Sequence, residues 1–76
     1  MSFQILRGPI SVESFNSLCR SVKWKEVERS HFETALAHSI ASIHAVLNGE
    51  IVGFGRLVGD QGLYIYVQDL IVHANY

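Results

Sequence analysis

The stretch YIYVQDLIVHANY (64–76) decides how this chain is read. Leu63, Ile65 and Val67 alternate with Tyr64, Tyr66 and Gln68, the period of two that a strand requires. Past Gln68-Asp69 the apolar positions become Leu70 and Val72, with Ile71 between them, so the phase slips from odd to even numbers. A one-residue slip inside a strand is what a β-bulge produces. It re-aims every later side chain and bends the strand from its neighbour. The alternative is a strand buried on both faces, where phase carries little meaning. If the bulge forms, the amides after it are expected to turn away from the preceding strand and to exchange quickly with solvent.

Working upstream, GDQG (59–62) reads as a turn, and SIHAVLNGEIVGFGRLV (42–58) as a hairpin about Asn48-Gly49, a strong two-residue turn signal. Ser30 and Glu33 have the spacing of a capping box, opening a helix with Phe32, Ala35, Leu36 and Ile40 on one face. KWKEVER (23–29) breaks the periodicity and reads as a loop. Val12, Phe15, Leu18, Cys19 and Val22 recur at helical spacing after Ser11, the expected N-cap. FQILR (3–7) is a short strand closed by Gly8-Pro9. The order β-α-α-β-β-β predicts a single α+β domain over residues 1–76: a four-stranded, mainly antiparallel sheet with two helices on one face.

Seventy-six residues make one small domain, yet 49% are hydrophobic. A chain this short buries only about 60% of the surface it exposes when unfolded, so either the core packs very well or apolar surface is left for a partner. The net charge of −1, without single-sign runs, argues against nucleic acid or an anionic membrane as partner. Cys19 has no internal disulfide partner and lies on the apolar face of the first helix, where it reads as a small core residue. No run approaches a membrane span and the N-terminus does not read as a signal peptide, so a soluble cytoplasmic protein is expected.

The stretch from Asn48 to Tyr76 resembles the second, third and fourth strands of the GNAT N-acetyltransferase superfamily, and Trp24 with FETALAHS (32–39) resembles the acceptor-side segment of its small bacterial members. The resemblance implies half of a GNAT fold, the N-terminal half, and transfer of acetyl from acetyl-CoA to a small primary amine. In that family a bulge in the fourth strand splays it from the fifth, and the slot between them receives the cofactor. Main-chain groups just after the bulge, here Leu70, Ile71 and Val72, would bond the pantetheine arm. The family's Q/R-x-x-G-x-G/A pyrophosphate loop has no counterpart within these 76 residues. GFGRLVG (53–59) is not such a loop, because its glycines fall inside a strand.

Of the remaining chemistry, Asp69 beside the bulge is a candidate general base or amine-orienting group; the alternative is a satisfied polar residue at a strand irregularity. Tyr64 and Tyr66 share a face and either line an acceptor pocket or simply pack. Arg56 is placed to contact an anionic acceptor or to pair with Asp69 or Asp60. Trp24 is a loop anchor or part of the acceptor wall. His31 and His38 are two helical turns apart, and no cysteine or carboxylate cluster joins the four histidines, so no metal site is expected.

Two function classes follow. In the first the chain keeps the acceptor side and half of the pantetheine wall of an acetyltransferase but is inactive alone for want of the pyrophosphate loop. The second is a non-catalytic module that self-associates. Two helices cover only one face of the sheet, and the final strand is an edge rich in β-formers, so a homodimer or a missing C-terminal half is the expected partner.

Overall fold

The computed structural model describes residues 3–76. In chain order the elements are β1 (Gln4–Arg7), α1 (Val12–Ser21), α2 (Arg29–Ala37), β2 (Ala41–Leu47), β3 (Glu50–Gly59) and β4 (Ile65–Val72). The strands form one four-stranded sheet in the order β1-β2-β3-β4, and every neighbouring pair is antiparallel. This is the expected α+β architecture.

Both helices pack on one face of the sheet. Ser11 caps α1, its side chain accepting a bond from the Ser14 N–H. The expected face of α1 is buried at Val12, Phe15, Leu18 and Cys19. Three phenylalanines join the layers: Phe15 of α1 stacks on Phe32 of α2 at 4.4 Å, and meets Phe54 of β3 edge-on at 5.7 Å. Ile71 of β4 completes this core.

The start of α2 differs from the capping-box expectation. Glu28 occupies the N-cap position without a side-chain bond, and Ser30 lies inside the helix. Glu33 is engaged from one turn earlier by Arg29 at 3.8 Å, and Arg29 also pairs with Glu13 of α1. Asn16 holds the entry to α2 instead. Its side-chain amide donates to the Val27 carbonyl and accepts from the Val27 N–H, each at 2.9 Å. Ile40 is not on α2, which ends at Ala37; its N–H donates to the Leu57 carbonyl at 2.8 Å, at the start of the sheet.

The hairpin forms at Asn48-Gly49, both with positive φ (52° and 81°), as a two-residue turn matched to strand twist requires. At the next turn Gly59 has φ 154°, and a Cβ there would lie 2.2 Å from the Tyr64 carbonyl oxygen. The Asp60 carboxylate closes that turn by accepting from the N–H groups of Gly62, Leu63 and Tyr64. These bonds hold its pKa below the ordinary 3.8.

Candidate functional site

Between β3 and β4 the register jumps: Arg56 pairs with Gln68, but Phe54 pairs with Ile71. Two steps on β3 therefore oppose three on β4, and the extra residue falls at Asp69-Leu70. Asp69 takes a left-handed backbone, φ 55°, uncommon for a residue other than glycine. The bulge read from the phase slip is present. Cross-strand partners share a face, so Val67, opposite Leu57, and Val72, opposite Gly53, lie on the sheet face away from the helices. Leu70 joins them, with its Cδ1 3.3 Å from where a Cβ on Gly55 would stand. Ile71 turns to the core and is buried.

The amides after the bulge do not all leave β3, contrary to expectation. Ile71 pairs with Phe54, and the His73 N–H donates to the Val52 carbonyl at 2.8 Å. One extra residue re-phases the ladder and pairing then resumes. Alternation along a strand leaves the main-chain groups of Leu70 and Val72 directed to the open edge of β4, and those of Ile71 toward β3.

On the helix side Asp69 forms an ion pair with Arg56, whose Nε donates to the carboxylate. The Arg56 Nη1 donates to the Ser39 hydroxyl at 3.2 Å. Both ionic side chains are largely shielded from solvent, Arg56 19% and Asp69 26% exposed. The guanidinium thus ties the bulge to the end of α2. The pair floors a cleft of about 240 Å³ walled by Phe15, Val27, His31, Phe32 and Ala35. Apolar walls around one carboxylate and one guanidinium suit a small ligand with a charged or polar end.

The other candidates are not gathered there. Tyr64 and Tyr66 stack on each other at 6.3 Å and stay exposed beyond the cleft. Trp24 sits in the loop after α1, its N–H donating to the Cys19 carbonyl at 2.8 Å, and its side chain is 48% exposed. It does not line the cleft. Sequence reasoning missed His31 and Ser39. In the sequence His31 reads only as a metal-ligand candidate; its place one residue before the buried Phe32 is the available clue. Nothing local marked Ser39, because its contact with Arg56 spans 17 residues. Among the described residues no group of three or more His, Cys, Asp or Glu side chains is arranged to hold a metal. No helix there is long and apolar enough to cross a membrane.

No family model and no curated protein matches this sequence. Solved structures do. A probable acetyltransferase of unknown function from methicillin-resistant Staphylococcus aureus superposes with TM-score 0.90 at 19% identity, over 99% of this chain and 56% of that one. A GNAT-family acetyltransferase from Streptococcus pneumoniae superposes with TM-score 0.81 at 33% identity, over 99% of this chain and 55% of that one. The fold is that of an acetyltransferase-type α+β domain. More narrowly, the chain has a half-length GNAT fold, spanning just over half the length of these relatives.

Proposed function

We propose that this chain provides the acceptor side and the first wall of the thioester slot of an acetyl-CoA-dependent N-acetyltransferase acting on a small primary amine. The observation that carries the reading is the bulge at Asp69-Leu70, which directs main-chain groups of Leu70 and Val72 to an unpaired edge while Arg56 fixes Asp69 at the cleft. An extended amide-bearing arm fits such an edge, since strand-like pairing needs only alternate N–H and C=O groups. When bound, acetyl-CoA supplies an activated acyl carbon and a thiolate leaving group. An acceptor amine would meet that carbon as the free base, and Asp69, the carboxylate at the bulge, would take up the proton the amine gives up. Arg56 holds the carboxylate in place, and the phenylalanine walls keep water from it. Residues 1–76 hold no pyrophosphate loop, so a polypeptide of these residues by itself lacks several charge-assisted bonds, each about 1.5–3 kcal/mol. Weak binding and no steady turnover are expected of it.

The test is an amide-resolved NMR titration of the 76-residue chain with acetyl-CoA and, separately, with pantetheine. Millimolar binding that shifts Asp69, Leu70 and Val72 under both ligands supports the reading. Shifts confined to other elements, or none at saturating ligand, overturn it. Sustained acetylation of any of a panel of polyamines, arylamines and amino sugars would overturn the expectation of inactivity alone. A second reading, a non-catalytic interaction module, is favoured by one observation: the apolar sheet face opposite the helices.

A further inference from the structure

The cleft floored by Arg56 and Asp69 is built wholly from α1, α2, the loop between them and the two strands at the bulge, on the helix side of the sheet. Its floor is not fully engaged. A guanidinium presents its N–H donors in a fixed planar fork. Here Nε donates to Oδ2 of Asp69 and Nη1 to the Ser39 hydroxyl. Among the described residues nothing bonds Arg56 Nη2 or Asp69 Oδ1, and neither atom is sealed from solvent. One ion pair therefore offers both a free donor and a free acceptor at the bottom of an apolar pocket.

Charge and size decide what fits there. Arg56 and Asp69 sum to zero. Among the described residues no second carboxylate lines the cleft, and His31 brings no negative charge in either protonation state. A polyamine would leave its further ammonium groups uncompensated against Phe15, Phe32 and Ala35. An amino sugar would leave hydroxyls there without partners. A plain alkyl- or arylamine satisfies Oδ1 but strips water from Nη2 and returns no bond to it. A ligand with an amino group and a carboxylate on one carbon, and an apolar substituent beside them, leaves no group unpaired. The cleft's 240 Å³ is the liquid volume of roughly eight waters, room for one amino acid and too little for a disaccharide.

We propose that the acceptor this cleft binds is an α-amino acid with an apolar side chain. Its amino group sits on Asp69 Oδ1, its carboxylate on the Arg56 Nη2 donors, and its side chain against the stacked rings of Phe15 and Phe32. Bonds between guanidinium and carboxylate are strong and directional, so the second contact fixes where the amino group points as well as holding the ligand. The inference rests on reading this cleft as the acceptor side, and narrows the primary amine to one chemical class.

The test is an NMR titration of the 76-residue chain without acetyl-CoA, reading the Arg56 Nε–H and the ring signals of Phe15 and Phe32. L-Phenylalanine, with about a dozen heavy atoms, is expected to bind in the millimolar range. 2-Phenylethylamine lacks its carboxylate and 3-phenylpropionate its amino group. Each forgoes one charge-assisted bond and should bind at least about 10-fold more weakly. Spermidine should leave the cleft signals unmoved. Ala35→Leu, which fills the cleft, should weaken phenylalanine binding at least about 10-fold. Binding of phenylethylamine, phenylpropionate or spermidine as tight as that of phenylalanine overturns the inference. So does phenylalanine that leaves the cleft signals unmoved at about 50 mM, or whose binding Ala35→Leu does not weaken. Should that variant fail to fold, the ligand comparison on the unmodified chain decides alone. Because the cofactor is absent from the titration, a chain that takes acetyl-CoA at Leu70 and Val72 yet prefers phenylethylamine refutes this inference and leaves the transferase reading standing.

Discussion

Asp69 combines two roles that ordinarily pull apart. Its left-handed backbone costs roughly 1–2 kcal/mol for a residue with a Cβ, and its ion pair with Arg56 offsets that. Asn tolerates the same backbone but brings no charge, so Asp69→Asn should lose about 1–3 kcal/mol, the cost of leaving a shielded guanidinium unpaired. Asp69→Ala should lose about 1 kcal/mol more, because strain is added to the lost pair. Urea denaturation of the three chains at one protein concentration checks the order. Two glycines make a second contrast. Gly59→Ala drives a Cβ into the Tyr64 carbonyl and should abolish cooperative unfolding or cost more than about 3 kcal/mol. At Gly62 the nearest atom would be 3.7 Å away, and Gly62→Ala should cost less than about 1 kcal/mol.

Among the elements, the β3–β4 turn depends on one carboxylate. The Asp60 pKa is depressed by amide bonds, chiefly from Gly62 and Tyr64. A depressed carboxylate contributes stability that is present above its unfolded value and lost as pH falls through the folded one. Amides of Gly62, Leu63 and Tyr64 should therefore lose protection as pH drops below the ordinary 3.8, while those of α1 hold. Asp60→Ala should show that loss at neutral pH. The elements also mark how far the sequence could be read. The slip between Val67 and Leu70 disclosed the bulge because it is written in consecutive side chains. Asn48-Gly49 disclosed its turn for the same local reason. The α2 cap misled, because Arg29 competes for Glu33 from a position that only the folded helix brings near. A second irregularity, Val52 inserted in β3 opposite Ala45 and Val46, left no trace, since Ile51 and Val52 are both apolar. The cleft was half legible: Arg56 and Asp69 were candidates, but the phenylalanine walls and Ser39 come from segments that only tertiary packing unites.

For the molecule as a whole, stability rests on a thin core. Leu18 is fully buried at the centre of α1, and Leu18→Ala should cost about 2–5 kcal/mol, a large share of what so small a domain has. Thermal unfolding followed by circular dichroism at fixed concentration checks this.

The order of the strands in the sheet is their order in the chain. From β2 onward each strand finds its partner across a short turn, so little loop entropy stands between the newly made chain and its pairing. β1 is different: Arg7 must wait for Ile43, with both helices made in between. During synthesis, therefore, the first strand waits longest for its partner, and the two helices are translated before any sheet exists to receive them. A chain made only as far as Asn48 holds two amphipathic helices and the β1–β2 pair, without β3 to carry Phe54. One stalled past Gly59 would hold a three-stranded sheet with Phe54 already in place beneath Phe15 and Phe32. The step between those two lengths is where this chain should first resist a protease.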